Sequence, residues 1–343
     1  MAVTRIFQVL FFLQSVALLA YIIHWSRNCD SCVILKTAMI NQATGNVYSK
    51  ATNVPFASTE RGQLSNCTLY DILQRPGVVM LTTTNLGFLD MTMNMLASVR
   101  RVGICVNTTI IAEDKKVYKY LHKKAEGDPA VHVVMTNSGL MQSGEVKRKN
   151  ARTYFDLLKK RQGYVFSLLE QGFEVLFTDS DTFWFRDPFR YFQGDFDMSM
   201  MDTNSPYPTR TSRAHYCAGF SYMKPTIVTL MFVKEWIRSL KGKQIMDQIV
   251  MNKLLQADKP VHVNIKPLDI KLFPPGPTFY EFLAKNTSYS AVVMHAASIR
   301  GHDEKVQKFK SSNMWLVNAS SDELVAREQG LYGNNSLSEL IIF

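Results

Sequence analysis

Two aspartates one residue apart, Asp179 and Asp181, follow the apolar run Val175-Leu176-Phe177 and precede Phe183-Trp184-Phe185. Such a pair can grip one hard cation, because both carboxylates reach the same ion from a strand end, and strand ends line the ligand crevice of an open α/β sheet. The competing reading is a solvated acidic turn. The apolar strand before the pair and the aromatic run after it favour the first.

A short strand must therefore deliver the pair, and the surrounding pattern supplies one. Residues 145–171 are basic and helix-prone, with an apolar stripe at Val165, Leu168 and Leu169, and Gln171-Gly172 stops that helix before the strand begins. Upstream, Val78–Leu81 reads as a strand running into the polar loop Thr82-Thr83-Thr84-Asn85. Residues 86–99 have helical spacing, and 103–112 form a second apolar run closed by Glu113-Asp114. This opens a βαβ unit with polar groups at the sheet edge, where a nucleotide could lie. Further strands are expected at Val131–Met135, Phe196–Met201 and Ala291–Met294, the last ending at His295, and helices over 226–240 and from Asp247-Gln248 onward. Phe273-Pro274-Pro275-Gly276-Pro277 is expected to be loop throughout. No Gly-rich phosphate fingerprint occurs, which argues against the P-loop and dinucleotide-binding classes.

Composition sets the wider bounds. The 343 residues are 46% hydrophobic and 20% charged, enough for a sizeable globular core, and the net charge of +10 points to an anionic partner. The basic clusters Lys147-Arg148-Lys149, Lys159-Lys160-Arg161 and Lys241–Lys243 are short and separate, so nucleic acid is not the expected partner. Residues 6–23 are an apolar run just long enough to span a bilayer. We read it as an uncleaved signal-anchor behind a five-residue cytosolic tail, with residues 24–75 as a polar luminal stem. Sequons at Asn66, Asn107, Asn286, Asn318 and Asn334 agree with a secretory-pathway location. Among five cysteines, Cys29 and Cys32 form the only close pair, a disulfide candidate; no connectivity follows for the rest.

Taken in order, Thr82-x-x-Asn85, Gly172, Asp179-Ser180-Asp181, Trp184-Phe185-Arg186-Asp187-Pro188, Cys217-x-Gly219-Phe220, Pro225-Thr226, Asp247-Gln248 and His295-Ala296 with Gly301 and Trp315 resemble the nucleotide-diphospho-sugar transferases, glycosyltransferase family 77. The resemblance covers residues 76–317 and leaves 318–343 as a C-terminal tail. It implies a GT-A fold, an α/β architecture with a central, mostly parallel mixed sheet flanked by helices. It also implies a retaining, Mn2+-dependent (or Mg2+-dependent) transferase, anchored in the Golgi membrane as a single-pass type II protein. Its donor would be a nucleotide sugar, in particular a UDP-sugar, and its acceptor a glycan or glycoprotein.

By position, the resemblance makes Asp179, Asp181 and His295 the metal ligands, a donor set that suits Mn2+. Without a cation, each carboxylate facing a diphosphate oxygen at about 4 Å would cost on the order of 4 kcal/mol at an effective dielectric of 20. It places Arg161, Asp179, Ser180, Gly301 and Lys305 around the donor, Thr83, Asn85 and Asp114 at its base and ribose, and Asp247 and Gln248 beside the sugar as the catalytic pair. Asp247 could then stabilise an oxocarbenium-like centre or act as a nucleophile. Departures fall in the sugar pocket: Ala218 replaces a common Ser or Thr, Ala297 a common Asn, and Arg300 a usually apolar residue. Two other readings compete. A haloacid dehalogenase-type phosphatase needs a residue between its second Asp and the Thr, whereas Thr182 follows Asp181 directly. A catalytically silent sugar-binding or scaffold protein on the same fold is distinguished by its lack of metal-dependent donor hydrolysis.

Overall fold

In the computed structural model, strand β1 (Val78–Thr84) lies in the interior of the sheet. Its run of Val, Met, Leu and Thr is buried along almost its whole length, as expected of a parallel strand covered on both faces. Parallel partners flank it: β2 (Asn107–Ala112) on one side, with β3 (Val131–Met135) beyond, and β4 (Glu174–Thr178) on the other. The strand order thus reverses between β1 and β4, and the crevice outside their carboxyl ends is where open α/β sheets bind ligands. Strands β6 (Met198–Asp202), β7 (Tyr216–Met223) and β8 (Ile265–Leu268) complete the seven-stranded order β3-β2-β1-β4-β7-β6-β8, with β7 antiparallel to both β4 and β6. The described residues are 67–136, 151–203, 215–257, 262–285 and 290–328, all within one unit, Phe56–Phe343.

Helices α1 (Leu69–Leu73), α2 (Leu89–Arg101), α3 (Lys115–Lys124), α4 (Ala151–Glu170), α5 (Ile227–Leu240), α6 (Asp247–Gln256), α7 (Gly276–Ala284), α8 (His302–Ser311) and α9 (Ser321–Glu328) are spread along the chain between and after the strands. Thr226 caps α5 by accepting from the Thr229 N–H, which is why that helix begins one residue later than its periodicity suggests. The proline-rich stretch also differs from expectation. Pro275 caps α7 and Gly276-Pro277 form its first turn, because a proline at the start of a helix loses no intrahelical hydrogen bond.

A second, two-stranded sheet positions the site. Strand β5 (Thr182–Trp184) pairs antiparallel with β9 (Val293–His295), and the register sets Thr182 opposite His295. The turn from β4 to β5 is pinned on both sides: the Asp179 N–H donates to the Gly219 carbonyl at 2.7 Å, and the Ala296 N–H to the Asp181 carbonyl at 2.9 Å. Beneath it, Phe183 and Trp184 are fully buried, and Trp184 meets Phe220 edge-on at 6.0 Å. Helix α2 carries a buried polar row. Asn94 bonds the backbone of Met314 and Leu316, and the Ser98 hydroxyl accepts the Trp184 N–H at 3.1 Å. These bonds tie residues 314–316 and β5 to the same helix.

The ordered fold starts before Gly77: α1 has a capping box at Thr68 and Asp71, and Cys67 is joined to Cys105 by a disulfide across 38 residues. Closing a loop of that size stabilises the fold by about 4 kcal/mol in the chain-entropy picture. The expected span 6–23, most of the expected stem, Cys29, Cys32, the cluster Lys147–Lys149 and the sequons at Asn66, Asn286 and Asn334 lie outside the described residues. Among the described residues no helix is long and apolar enough to cross a membrane.

Near the crevice, His302 in the first turn of α8 meets Asp90 in the first turn of α2 at 2.8 Å, with Asp303 at 3.2 Å. The hydrogen bond to Asp90, reinforced by that carboxylate's charge, pushes the imidazole up to about 8 against burial. The folded-state value lies above the ordinary 6.5, so the stabilisation is complete below that pH and lost as pH rises through about 8. After allowance for screening at this partly exposed pair, the loss is about 1 kcal/mol. Thermal unfolding across that window should show the decline in the wild type and a flatter profile in Asp90→Asn.

Candidate functional site

Asp179 leaves β4, Asp181 enters β5, and His295 ends β9; their ligand-capable atoms lie within 4.8 Å of one another. His295 Nε2 is 3.1 Å from Asp181 Oδ1 and 3.6 Å from Asp179 Oδ2. Each carboxylate also carries a cationic side chain. Lys305 Nζ, from α8, sits 2.6 Å from Asp181 Oδ2, and Arg161, from α4, donates to Asp179 Oδ1 at 2.5 Å. Burial raises the Asp181 carboxyl, but Lys305 and His295 outweigh it and hold it well below the usual carboxylate range. Burial also raises Asp179, and there the opposing charge of Arg161 does not reverse the shift. For His295, burial disfavours the imidazolium, yet Asp181 together with Cys217 more than compensates and lifts it well above its ordinary value.

The basic side of the crevice is built as a relay. Arg161 spans two carboxylates, donating its second terminal nitrogen to Asp247 Oδ2 at 2.7 Å, and Gln162 donates to that same oxygen at 2.7 Å. Asp247 is buried at 1% exposure; its other oxygen accepts the Gln248 N–H, and its carbonyl accepts from Trp236. Gln248 in turn accepts the Ala218 N–H at 3.1 Å, while Asn252, one turn on, exchanges hydrogen bonds with the backbone of Tyr216. Helix α6 is thereby stitched to β7 alongside the trio of Asp179, Asp181 and His295.

Gly219 on β7 faces the trio directly. A Cβ built there would stand 2.2 Å from Asp179 Oδ2 and 2.5 Å from His295 Cε1, so the chain keeps this volume clear with a residue that has no side chain. Gly219→Ala must displace Asp179 or His295. A Mn2+ titration should show affinity lower by at least about 100-fold, and unchanged affinity would mean that the three groups do not act together.

The remaining predicted residues are distributed as follows. Ser180 lies partly exposed in the β4–β5 turn, Thr83 is partly exposed near the end of β1, and Asn85 is buried at the start of a short 3-10 turn. Gly301, at a φ of 86° that favours glycine, caps the helix carrying Lys305. Asp114 is used locally: its oxygens accept the Leu86 N–H at 2.7 Å and the Val117 N–H at 2.9 Å, fixing the loop after β1 and capping α3. Its neighbour Glu113, not singled out from sequence, is buried beside Tyr164, and burial pushes its carboxyl up to about 7 against the charge of Lys160. Gln162 was equally unsignalled, because a glutamine next to an arginine in a basic helix looks solvated until the helix is placed.

The topology is that of the GT-A fold. A solved structure of an active-site mutant of LgtC superposes with a TM-score of 0.50 at 11% identity, covering 72% of this chain and all of that one. The sequence pattern of the nucleotide-diphospho-sugar transferase family matches residues 103–309, more than half of the chain, and the chain belongs to that family. Similar proteins include a UDP-D-xylose:L-fucose alpha-1,3-D-xylosyltransferase of Arabidopsis thaliana, 26% identical over 72% of each chain. A UDP-galactose:fucoside alpha-3-galactosyltransferase of Dictyostelium discoideum is 23% identical over 68% of this chain and 42% of its own length.

Proposed function

We propose that this protein is a metal-dependent, retaining glycosyltransferase that moves a sugar from a UDP-sugar to a fucose-bearing glycan or glycoprotein. The convergence of Asp179, Asp181 and His295 at the β1–β4 crevice, with Arg161 and Lys305 against the two carboxylates, carries the reading. Two carboxylates and an imidazole suit Mn2+, with Mg2+ as the harder substitute, and Gly219 keeps the space around them clear. When bound, the cation neutralises the diphosphate and stabilises the departing nucleoside diphosphate. Arg161 and Lys305, the cations set against these carboxylates, are the proposed contacts to the diphosphate. Thr83 and Asn85, at the end of β1, are the proposed contacts to base and ribose, with Gly301 bringing α8 close to the diphosphate.

The environment of Asp247 bears on the mechanism. With Arg161 and Gln162 on one oxygen and a backbone N–H on the other, its carboxylate is heavily hydrogen-bonded and poorly disposed to attack an anomeric carbon. We therefore assign it an electrostatic and positioning role in a front-face displacement and leave the acceptor hydroxyl to the departing diphosphate oxygen. Gln248, anchored to Ala218, borders the sugar pocket in this reading. The fucose acceptor is supported by the names of relatives from two organisms.

Placement in the Golgi lumen as a single-pass type II protein, held by residues 6–23 and a stem up to about 75, with residues 76–317 catalytic, belongs to the same proposal. It rests on the sequence pattern alone. The test is a donor screen with purified protein, with and without a fucoside acceptor and a chelator. Chelator-sensitive release of UDP from one donor, increased by the fucoside, is the expected result. No donor binding and no release under any of these conditions would favour the catalytically silent alternative.

A further inference from the structure

The imidazole of His295 has two nitrogens, and only Nε2 faces the aspartates. Nδ1 points the other way, to the sulfur of Cys217 at 3.4 Å. That sulfur also accepts the Gly219 N–H at 3.4 Å, and Cys217 is buried at 2% exposure with a free thiol. Three successive residues of β7 thus each serve the crevice: Cys217 through its sulfur, Ala218 through its N–H to Gln248, and Gly219 through the side chain it lacks.

An imidazole binds a cation through a nitrogen that bears a lone pair, so the proton of the neutral ring must sit on the other nitrogen. The partner of that second nitrogen fixes both tautomer and ring rotation. In most metal sites the partner is an oxygen; here Nδ1 faces a sulfur, a weaker acceptor. We propose that Cys217 is a positioning residue whose sulfur accepts the Nδ1–H of His295 and so presents Nε2 to a cation shared with Asp179 and Asp181. The bond from Gly219 holds the sulfur in place, and burial keeps water from substituting for it. This assignment rests on the metal-binding reading above.

The test measures Mn2+ binding to the full chain by calorimetry for the wild type, Cys217→Val, Cys217→Ala and Cys217→Ser. Valine fills the site but cannot accept a hydrogen bond; serine restores an acceptor. Cys217→Val should bind Mn2+ about 10–100-fold more weakly, and Cys217→Ser should recover most of that loss, the range usual for the partners of metal ligands. Melting temperatures identify any variant that fails to fold; should valine do so, the contrast between alanine and serine decides. Wild-type affinity in Cys217→Val, or equal weakening in folded alanine and serine variants, would overturn the proposal while leaving the metal site standing. A wild type that binds no Mn2+ would overturn the metal reading and this proposal together.

Discussion

Asp181→Asn should lower kcat/KM for glycosyl transfer by at least about 10^3-fold in a protein that remains folded. The substitution keeps the shape and the hydrogen-bond acceptor but removes the charge that Lys305 and His295 both address. If the carboxylate contributes about 4 kcal/mol of transition-state stabilisation through the cation, its loss is about a factor of 10^3 in rate. The stability change should be about 1–3 kcal/mol, because the amide oxygen keeps one of the two neighbours while the NH2 faces the other donor. Activity within about tenfold of wild type would show that Asp181 acts through structure rather than through an ion.

The largest stability effect is expected at Asp247. Alanine there strands Arg161 and Gln162 beside a hole with little access to water, and breaking a buried pair in this way typically costs about 3–5 kcal/mol. For a domain of this size that lowers the melting temperature by roughly 10 °C. Activity should fall too, since Arg161 also rests on Asp179 and would swing towards it once released. Pairing Asp247→Leu with Arg161→Met should restore much of the stability but no activity, because a well-packed apolar pair can replace a buried ion pair in the fold and not in the site. Recovery of activity in the double variant would remove both residues from the mechanism.

Much of this is legible in the sequence. The β1, β4 and β9 strands announced themselves as short apolar runs, and the aspartates and His295 sat at their ends because polar residues that follow buried strands have few other places to go. What the sequence left unstated depends on distant partners. Lys305 lies in a charged helix, and only the resemblance set it at the donor; α8 brings it to 2.6 Å from Asp181. Asp247, placed beside the sugar by the resemblance alone, is buried in the first turn of α6, and the capping position belongs to Met246. Asp114 was a candidate for ribose contact, and the structure commits its carboxylate to two backbone N–H groups. The pairing of β5 with β9 could not be read at all, since each has only three residues and no turn joins them.

The central claim is that a cation held by Asp179, Asp181 and His295 is what lets this crevice bind a nucleoside diphosphate. It is tested most directly by measuring UDP affinity with Mn2+ and with chelator, in the wild type and in Asp181→Asn. The account predicts one ion per chain, UDP binding that requires the ion, and loss of that requirement's benefit in the variant. UDP binding of equal strength in chelator, or an Asp181→Asn variant indistinguishable from wild type, would contradict it.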